Sequence, residues 1–257
     1  MDERQRRRRK KRMRVYCMRA LTVVCAISIL TLLFLAGRGI RGLLFGGKQE
    51  TLAVTDEQLG VLDDLKEQMK GKEWTLILDA GHGGSDVGTG DADYYEKDIN
   101  MDIVRKMQEM LEYCGVNVIL TRDGDKTVAL EERSAMANES DADWFVSIHC
   151  NFCEEDETVA GLECYYWADS AAGLAFAQKV VQAAEESGQI NVRGVKTEDF
   201  HVLRETNIPA VLIETGYLSN QEERKCLYDE TYQQTLSVYL VRGLVEGYLQ
   251  WADALSD

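Results

Sequence analysis

Four short, mostly apolar runs, Thr75–Leu78, Val116–Leu120, Trp144–Ile148 and Ala210–Ile213, recur along the chain with amphipathic segments between them. Uninterrupted apolar runs of this length suit strands buried on both faces of a parallel sheet, where no alternation with polar residues is needed. The intervening segments follow the other period. Ile99, Ile103, Met107, Met110 and Leu111 share one helical face, as do Leu174, Ala177, Val181 and Ala184, and later Leu236, Leu240, Leu244 and Tyr248. Alternating strands and helices predict an α/β fold: a three-layer domain with a mostly parallel sheet flanked by helices, spanning residues 74–250. Residues 251–257 form a C-terminal tail, and no internal repeat or second domain follows. With 45% hydrophobic residues and one proline, Pro209, the chain is neither disordered nor collagen-like.

The N-terminus is a different object. Residues 1–50 hold 13 basic and 3 acidic side chains, a net +10, against 16 basic and 41 acidic in residues 51–257, a net −25. Ten Arg or Lys residues lie between Arg4 and Arg19, and the 18 residues from Ala20 to Gly37 carry no charge. As a helix that stretch would rise about 27 Å, close to the thickness of a bilayer's hydrocarbon core. The expectation is a basic cytoplasmic tail (1–19), one N-terminal transmembrane signal anchor (20–37), and an extracytoplasmic remainder, oriented by the positive-inside rule. A cleavable signal peptide is the rival, and its apolar core would be unusually long. The Arg-rich tract also has the look of a nucleic-acid patch, but the acidic remainder would repel a phosphate backbone, so nucleic acid is not an expected partner. Residues 38–73 read as a juxtamembrane linker and a short helix. Thr55-x-x-Gln58 is a capping box opening that helix, with Leu59, Leu62, Leu65 and Met69 on one side. Of seven cysteines, Cys150 and Cys153 have CxxC spacing, a lone motif better read as small buried residues, with one disulfide possible.

Only three histidines occur, His82, His149 and His201. His82 and His149 stand just past the ends of predicted strands, and Glu214 closes a third, placing all three at the edge where open α/β sheets bind ligands. Glycines surround His82 in Asp79-Ala80-Gly81-His82-Gly83-Gly84, which lets the backbone turn sharply there. Glu96 opens the next helix, where a carboxylate is also favourable without any function. A solitary histidine beside a strand is usually a satisfied core residue, yet two histidines and two glutamates at one edge favour chemistry. Two imidazoles and one carboxylate suit a catalytic zinc with a fourth position open to water. His82, Glu96 and His149 fit the ligand roles, and Glu214 fits proton transfer.

The motifs Leu78–Gly84, Glu96-Lys97-Asp98, Ser147–Asn151 and Pro209–Asn220, in that order, resemble the zinc-dependent N-acetylmuramoyl-L-alanine amidases of the type-3 family. Arg193–Lys196 through Val202–Arg204 is similar as well. The resemblance implies a peptidoglycan hydrolase cutting the amide between N-acetylmuramic acid and L-alanine of the stem peptide. By position it puts the zinc ligands on His82, Glu96 and His149 and the catalytic glutamate on Glu214. Two positions depart from the family pattern: Ala80 replaces the usual proline and Cys150 the usual alanine. Strand alternation points the Cys150 side chain away from the site. Some relatives carry an inhibitory helical insert, for which Tyr166–Ser170 leaves no room. Arg204 is a candidate for a stem-peptide carboxylate and His201 for an oxyanion, with structural roles as plausible for both. Asn151 is a candidate for orienting substrate or for a turn. Two alternatives stand beside this reading: a zinc peptidase or amidase on another wall bond, and a non-catalytic, membrane-tethered wall-binding protein.

Overall fold

A computed structural model describes residues 54–91 and 94–254. The tail and anchor expected at 1–37 lie outside the described residues. Among those described, no helix is long and apolar enough to cross a membrane.

The first element, α1 (Asp56–Met69), is started by the expected capping box: Gln58 N–H donates to Thr55 Oγ1 at 3.2 Å, and Thr55 N–H donates to Gln58 Oε1 at 3.0 Å. Its face is narrower than expected. Leu62, Leu65 and Met69 are buried, whereas Leu59 is exposed. There follow β1 (Thr75–Ala80), a two-residue-strand hairpin of β2 (Gly90–Asp91) and β3 (Tyr94–Tyr95), α2 (Glu96–Tyr113), β4 (Asn117–Leu120), α3 (Leu130–Glu139) and β5 (Trp144–Asn151). The second half runs β6 (Leu162–Tyr166), α4 (Ala171–Glu186), β7 (Val192–Thr197), α5 (His201–Arg204), β8 (Ala210–Tyr217), α6 (Gln221–Tyr228) and α7 (Glu230–Ala254).

Six strands form one sheet in the order β4-β1-β5-β8-β6-β7. Four of its five junctions are parallel; β6 alone meets β8 antiparallel, so β6 and β7 run against the rest. The run at Val116–Leu120, expected to be covered on both faces, is instead the edge strand β4, with Asn117 and Ile119 exposed.

The two faces of the sheet are unequal. Leu76, Leu78, Trp144, Val146, Ile148, Val211 and Ile213 join the large core against α2, α4 and α7. There Trp144 stacks on Phe176 at 3.8 Å between ring centroids, and Trp74 on Tyr248 at 4.6 Å. Such pairs contribute roughly 0.5–1.5 kcal/mol each beyond area burial. The buried face of α4 is rotated from the expected one, with Phe176 and Val180 innermost and Leu174 only half-buried. The opposite face carries a smaller cluster, in which Ile77, Phe145 and Leu212 meet Ala137 of α3 and Val202 and Leu203 of α5. Because α3 and α5 are short, they leave the C-terminal ends of β1, β5 and β8 uncovered on that side. The strand alternation of period two then dictates which residues face the opening: Asp79, Ser147, His149 and Glu214.

Candidate metal centre and active site

His149 and Glu214 are register partners on adjacent parallel strands, and Glu163 of β6 is the register partner of Glu214 on its other side. One row of the sheet thus carries an imidazole and two carboxylates. His82 and Glu96 come to this row from the turn after β1 and from the first residue of α2. The register of β5 on β8 shifts between His149 and Asn151, an irregularity of the kind that re-aims side chains beside active sites.

His82 adopts φ 61°, the only positive φ of a non-glycine residue among those described. A histidine in the left-handed region is uncommon and persists only where its surroundings enforce it. Arg133 does so from α3, donating to the carbonyls of His82 at 2.7 Å and Ala80 at 2.8 Å. The Arg133 guanidinium is itself paired with buried Asp79, which also accepts from Ser147 Oγ at 2.6 Å and Thr121 Oγ1 at 2.5 Å. Buried Arg122 holds the carbonyls of Ala80 and Gly81 from the β4 side, at 2.9 and 3.1 Å. The turn is therefore fixed by two arginines over a carboxylate, all three buried. Gly81 is required for close approach: a Cβ there would lie 2.2 Å from the His149 ring. Gly88 is required twice over, having φ +66° and no room for a Cβ, which would fall 2.5 Å from Glu96 Oε2.

The donor atoms of His82, Glu96 and His149 all lie within 4.8 Å of one another. Glu96 is 3% exposed and meets both rings, His149 Nδ1 at 3.0 Å from Oε1 and His82 Nε2 at 3.2 Å from Oε2. It also accepts from Cys150 N–H at 3.0 Å and Thr89 N–H at 2.9 Å. Burial alone would raise the Glu96 pKa, but the two histidines hold it well below the usual carboxylate range. Burial likewise opposes charge on His82, and the neighbouring carboxylates of Glu96 and Asp86 overcome it, raising His82 to about 9. Asp86 Oδ2 sits 2.9 Å from His82 Nδ1, which fixes the ring and turns Nε2 towards Glu96.

Glu214 is a carboxylate of another kind. Burial is the dominant influence and pushes its pKa up to about 7. Its Oε2 is buried with no hydrogen-bond partner among the described residues. An orphaned buried oxygen is costly unless it has a function or a ligand. Together with the imidazole–carboxylate trio it lines an open cleft of about 770 Å³, whose rim carries the exposed side chains of Leu130 and Phe152.

All four residues singled out in the sequence are therefore brought together. His201 lines the same cleft, 3.3 Å from Ser134 Oγ. Arg204 does not take part, being tied at the surface to Asp199 and Glu205. Cys150 points to the other face, its sulfur 3.2 Å from Thr215 Oγ1, and the five described cysteines are all free thiols. Sequence reasoning missed Asp86, Arg133 and Glu163. Asp86, four residues after His82, was the most findable of these; Arg133 and Glu163 come from segments with no local signal.

Two imidazoles, a carboxylate and a second, unpartnered carboxylate at the open edge of an α/β sheet form a site suited to metal-assisted hydrolysis. Comparison with known proteins sharpens that class. A family model described as N-acetylmuramoyl-L-alanine amidase matches residues 76–246. The probable cell wall amidase LytH of Staphylococcus aureus is 34% identical over 187 residues, which cover 72% of this chain and 62% of LytH. Among solved structures, the amidase AmiC2 of Nostoc punctiforme aligns with a TM-score of 0.65 at 36% identity, over 69% of this chain and 97% of AmiC2. The CwlD amidase of Clostridioides difficile, solved in complex with the GerS lipoprotein, also aligns at 0.65, with 35% identity over 68% of this chain and 98% of CwlD. The chain belongs to the N-acetylmuramoyl-L-alanine amidase family. It is a peptidoglycan hydrolase that cleaves the amide between N-acetylmuramic acid and the L-alanine of the stem peptide.

Proposed function

We propose that His82, Glu96 and His149 hold a zinc ion, that Glu214 carries the proton in amide cleavage, and that the chain is tethered by residues 20–37 to the outer face of a cell membrane, facing the wall. The observation that carries the catalytic part is the convergence of three donor groups, within 4.8 Å, beside a buried carboxylate oxygen that has no hydrogen-bond partner among the described residues. The donor set fits the ion. Two imidazoles, each giving up its ligating proton when metal binds, and one carboxylate are a common catalytic zinc set, and Asp86 on His82 Nδ1 supplies the outer hydrogen bond that orients such a ligand. When bound there, zinc supplies Lewis acidity, which makes water a better acid and the scissile carbonyl a better electrophile.

The protein's own groups account for the rest. Glu214 in its carboxylate form takes a proton from the attacking water, and burial raises its basicity for that step. The same carboxyl then returns the proton to the departing L-alanine nitrogen. His149 is its register partner on the adjacent strand, which sets Glu214 beside the proposed metal ligands. The fixed His82 turn means that the geometry is organised before substrate arrives, so little reorganisation is needed during reaction.

The test is product analysis on purified peptidoglycan with the full-length protein. New N-terminal L-alanine is expected; a different new amine terminus would mean that another wall bond is cut. Glu214→Gln should keep the fold and the bound metal and lose turnover by a hundredfold or more, while His82→Ala should lose the metal. Near-normal turnover in Glu214→Gln would overturn the proton-transfer role. Only residues 167–170 separate β6 from α4, so no helical insert lies between those two elements. The purified chain is therefore expected to act without an activator. Dependence on an added protein would contradict that expectation.

A further inference from the structure

We propose that Arg193 and Lys196 form a carboxylate-binding subsite beside the reacting centre, which recognises the acidic residue following L-alanine in the stem peptide; the proposal rests on the amidase reading above. The sheet places them there. The row that holds His149 and Glu214 continues through Glu163 on β6 to Gly194 on β7. Strands in a sheet lie about 4.8 Å apart, so β7 runs roughly 10 Å from the strand of Glu214. Glu163 shares the cleft side of the sheet with Glu214 and Tyr165, and both cations reach it from β7.

Glu163 is fully buried. It accepts from Arg193 Nε at 2.5 Å, Tyr165 Oη at 2.5 Å and Asn151 Nδ2 at 3.2 Å, and it pairs with Lys196 Nζ. Asn151 lines the catalytic cleft, two residues after His149, and so joins this cluster directly to the site.

The ion pairing is the informative part. Two cations meet the one buried carboxylate of Glu163, and their side chains stay 39% and 40% exposed. Buried Glu223, which accepts from the N–H groups of Gly161 and Tyr217, also feels the Arg193 charge, but among the described residues it forms no ion pair with either cation. Among the described residues, Arg193 uses only Nε on Glu163, which leaves the outer edge of its guanidinium free to bind a planar carboxylate. Gly161 keeps space for this arm, since a Cβ there would lie 2.8 Å from Arg193 Cγ. Tyr217 supports it with its ring 5.7 Å from the guanidinium carbon.

Substrate geometry agrees. From the scissile nitrogen, two extended residues span about 7 Å, within reach of two long side chains rooted on β7. Arg204, the candidate from sequence, is neutralised by Asp199 and Glu205 and cannot serve. Buried Glu163 would act as the positioning residue that holds both cations at the right height.

The experiment uses the full-length protein and two matched muropeptides, one with a free carboxylate on the residue after L-alanine and one with that group as a primary amide. The wild type should show a KM about tenfold lower for the carboxylate form. Arg193→Gln and Lys196→Gln should each raise that KM by about tenfold, change kcat by less than twofold, and leave the amidated substrate unaffected. Arg193→Lys and Lys196→Arg should restore most of the affinity. Equal losses on both substrates, or no loss on either, would overturn the subsite and leave a purely structural ion cluster. Thermal unfolding of each variant detects a folding defect, and the wild-type comparison needs no variant at all. If the wild type frees no N-terminal L-alanine from either muropeptide, it is the amidase reading that fails.

Discussion

His82 shows how much of this site is decided one residue at a time. Its φ of 61° is held by Arg133 on its carbonyl, and its ring is aimed by Asp86. The two supports should fail differently. Asp86→Asn loses the charge that orients the ring, so metal affinity should fall by ten- to a hundredfold, read by competition with a chromogenic chelator, with thermal stability nearly unchanged. Glu163 carries a prediction about pH. Burial raises its pKa, but hydrogen bonds from Lys196, Tyr165 and Arg193 outweigh burial, and the folded-state value lies below the ordinary one. A depressed carboxyl contributes stability that is complete above the unfolded pKa, about 4.3, and lost as pH falls through the folded value. Glu163→Gln should therefore be less stable by about 2 kcal/mol at pH 7. The gap between variant and wild type should close as unfolding is measured at pH values below 4. A gap that is constant with pH would mean that the charge of Glu163 contributes nothing.

At the scale of elements, the close approach of α7 to α4 sets the thickness of the large core. A Cβ on Gly243 would fall 2.6 Å from Val180 Cα, which is backbone and cannot swing aside. Alanine favours a helix over glycine by about 1 kcal/mol, yet Gly243→Ala should be destabilising by about 2 kcal/mol because the helices must separate. Chemical denaturation measures this, and a stabilised variant would show that the helices are free to move apart. Leu62→Ala on α1 should cost about 3 kcal/mol, since Leu62 is fully buried in the same core. The elements that could be read in advance are those with a clean period: β1, β5 and β8, and the faces of α2 and α7. The missed ones explain themselves. Strand β7, Val192–Thr197, alternates too weakly to stand out, with half-exposed positions and a glycine at its centre. Strand β6 is only five residues long and mixes Glu163 and Tyr165 among its apolar positions. One of the polar residues that hid these strands, Glu163, is the register partner of Glu214.

For the whole molecule, the charge of the chain falls into two blocks, net +10 before residue 51 and −25 after it. A basic block ahead of an uncharged 18-residue span is the basis for the proposed tether. Deleting residues 1–37 should move the protein from the membrane fraction to the soluble fraction while turnover on purified peptidoglycan persists. Retention of the truncated chain on membranes would locate the tether elsewhere. Local sequence alone determined the sheet-and-helix alternation, the ends of the three central strands, and the four side chains, His82, Glu96, His149 and Glu214, that gather at them. These depend on periodicity and on chemistry carried by single residues, which a linear reading contains. Only the tertiary structure decided which strand lay at the edge, that β6 and β7 run in reverse, and that Arg133, Asp86 and Glu163 support the site. Those follow from pairings between residues as far apart as Asp79 and Arg133, or Glu163 and Lys196. Such pairings cost chain entropy that only the packing of the complete fold recovers.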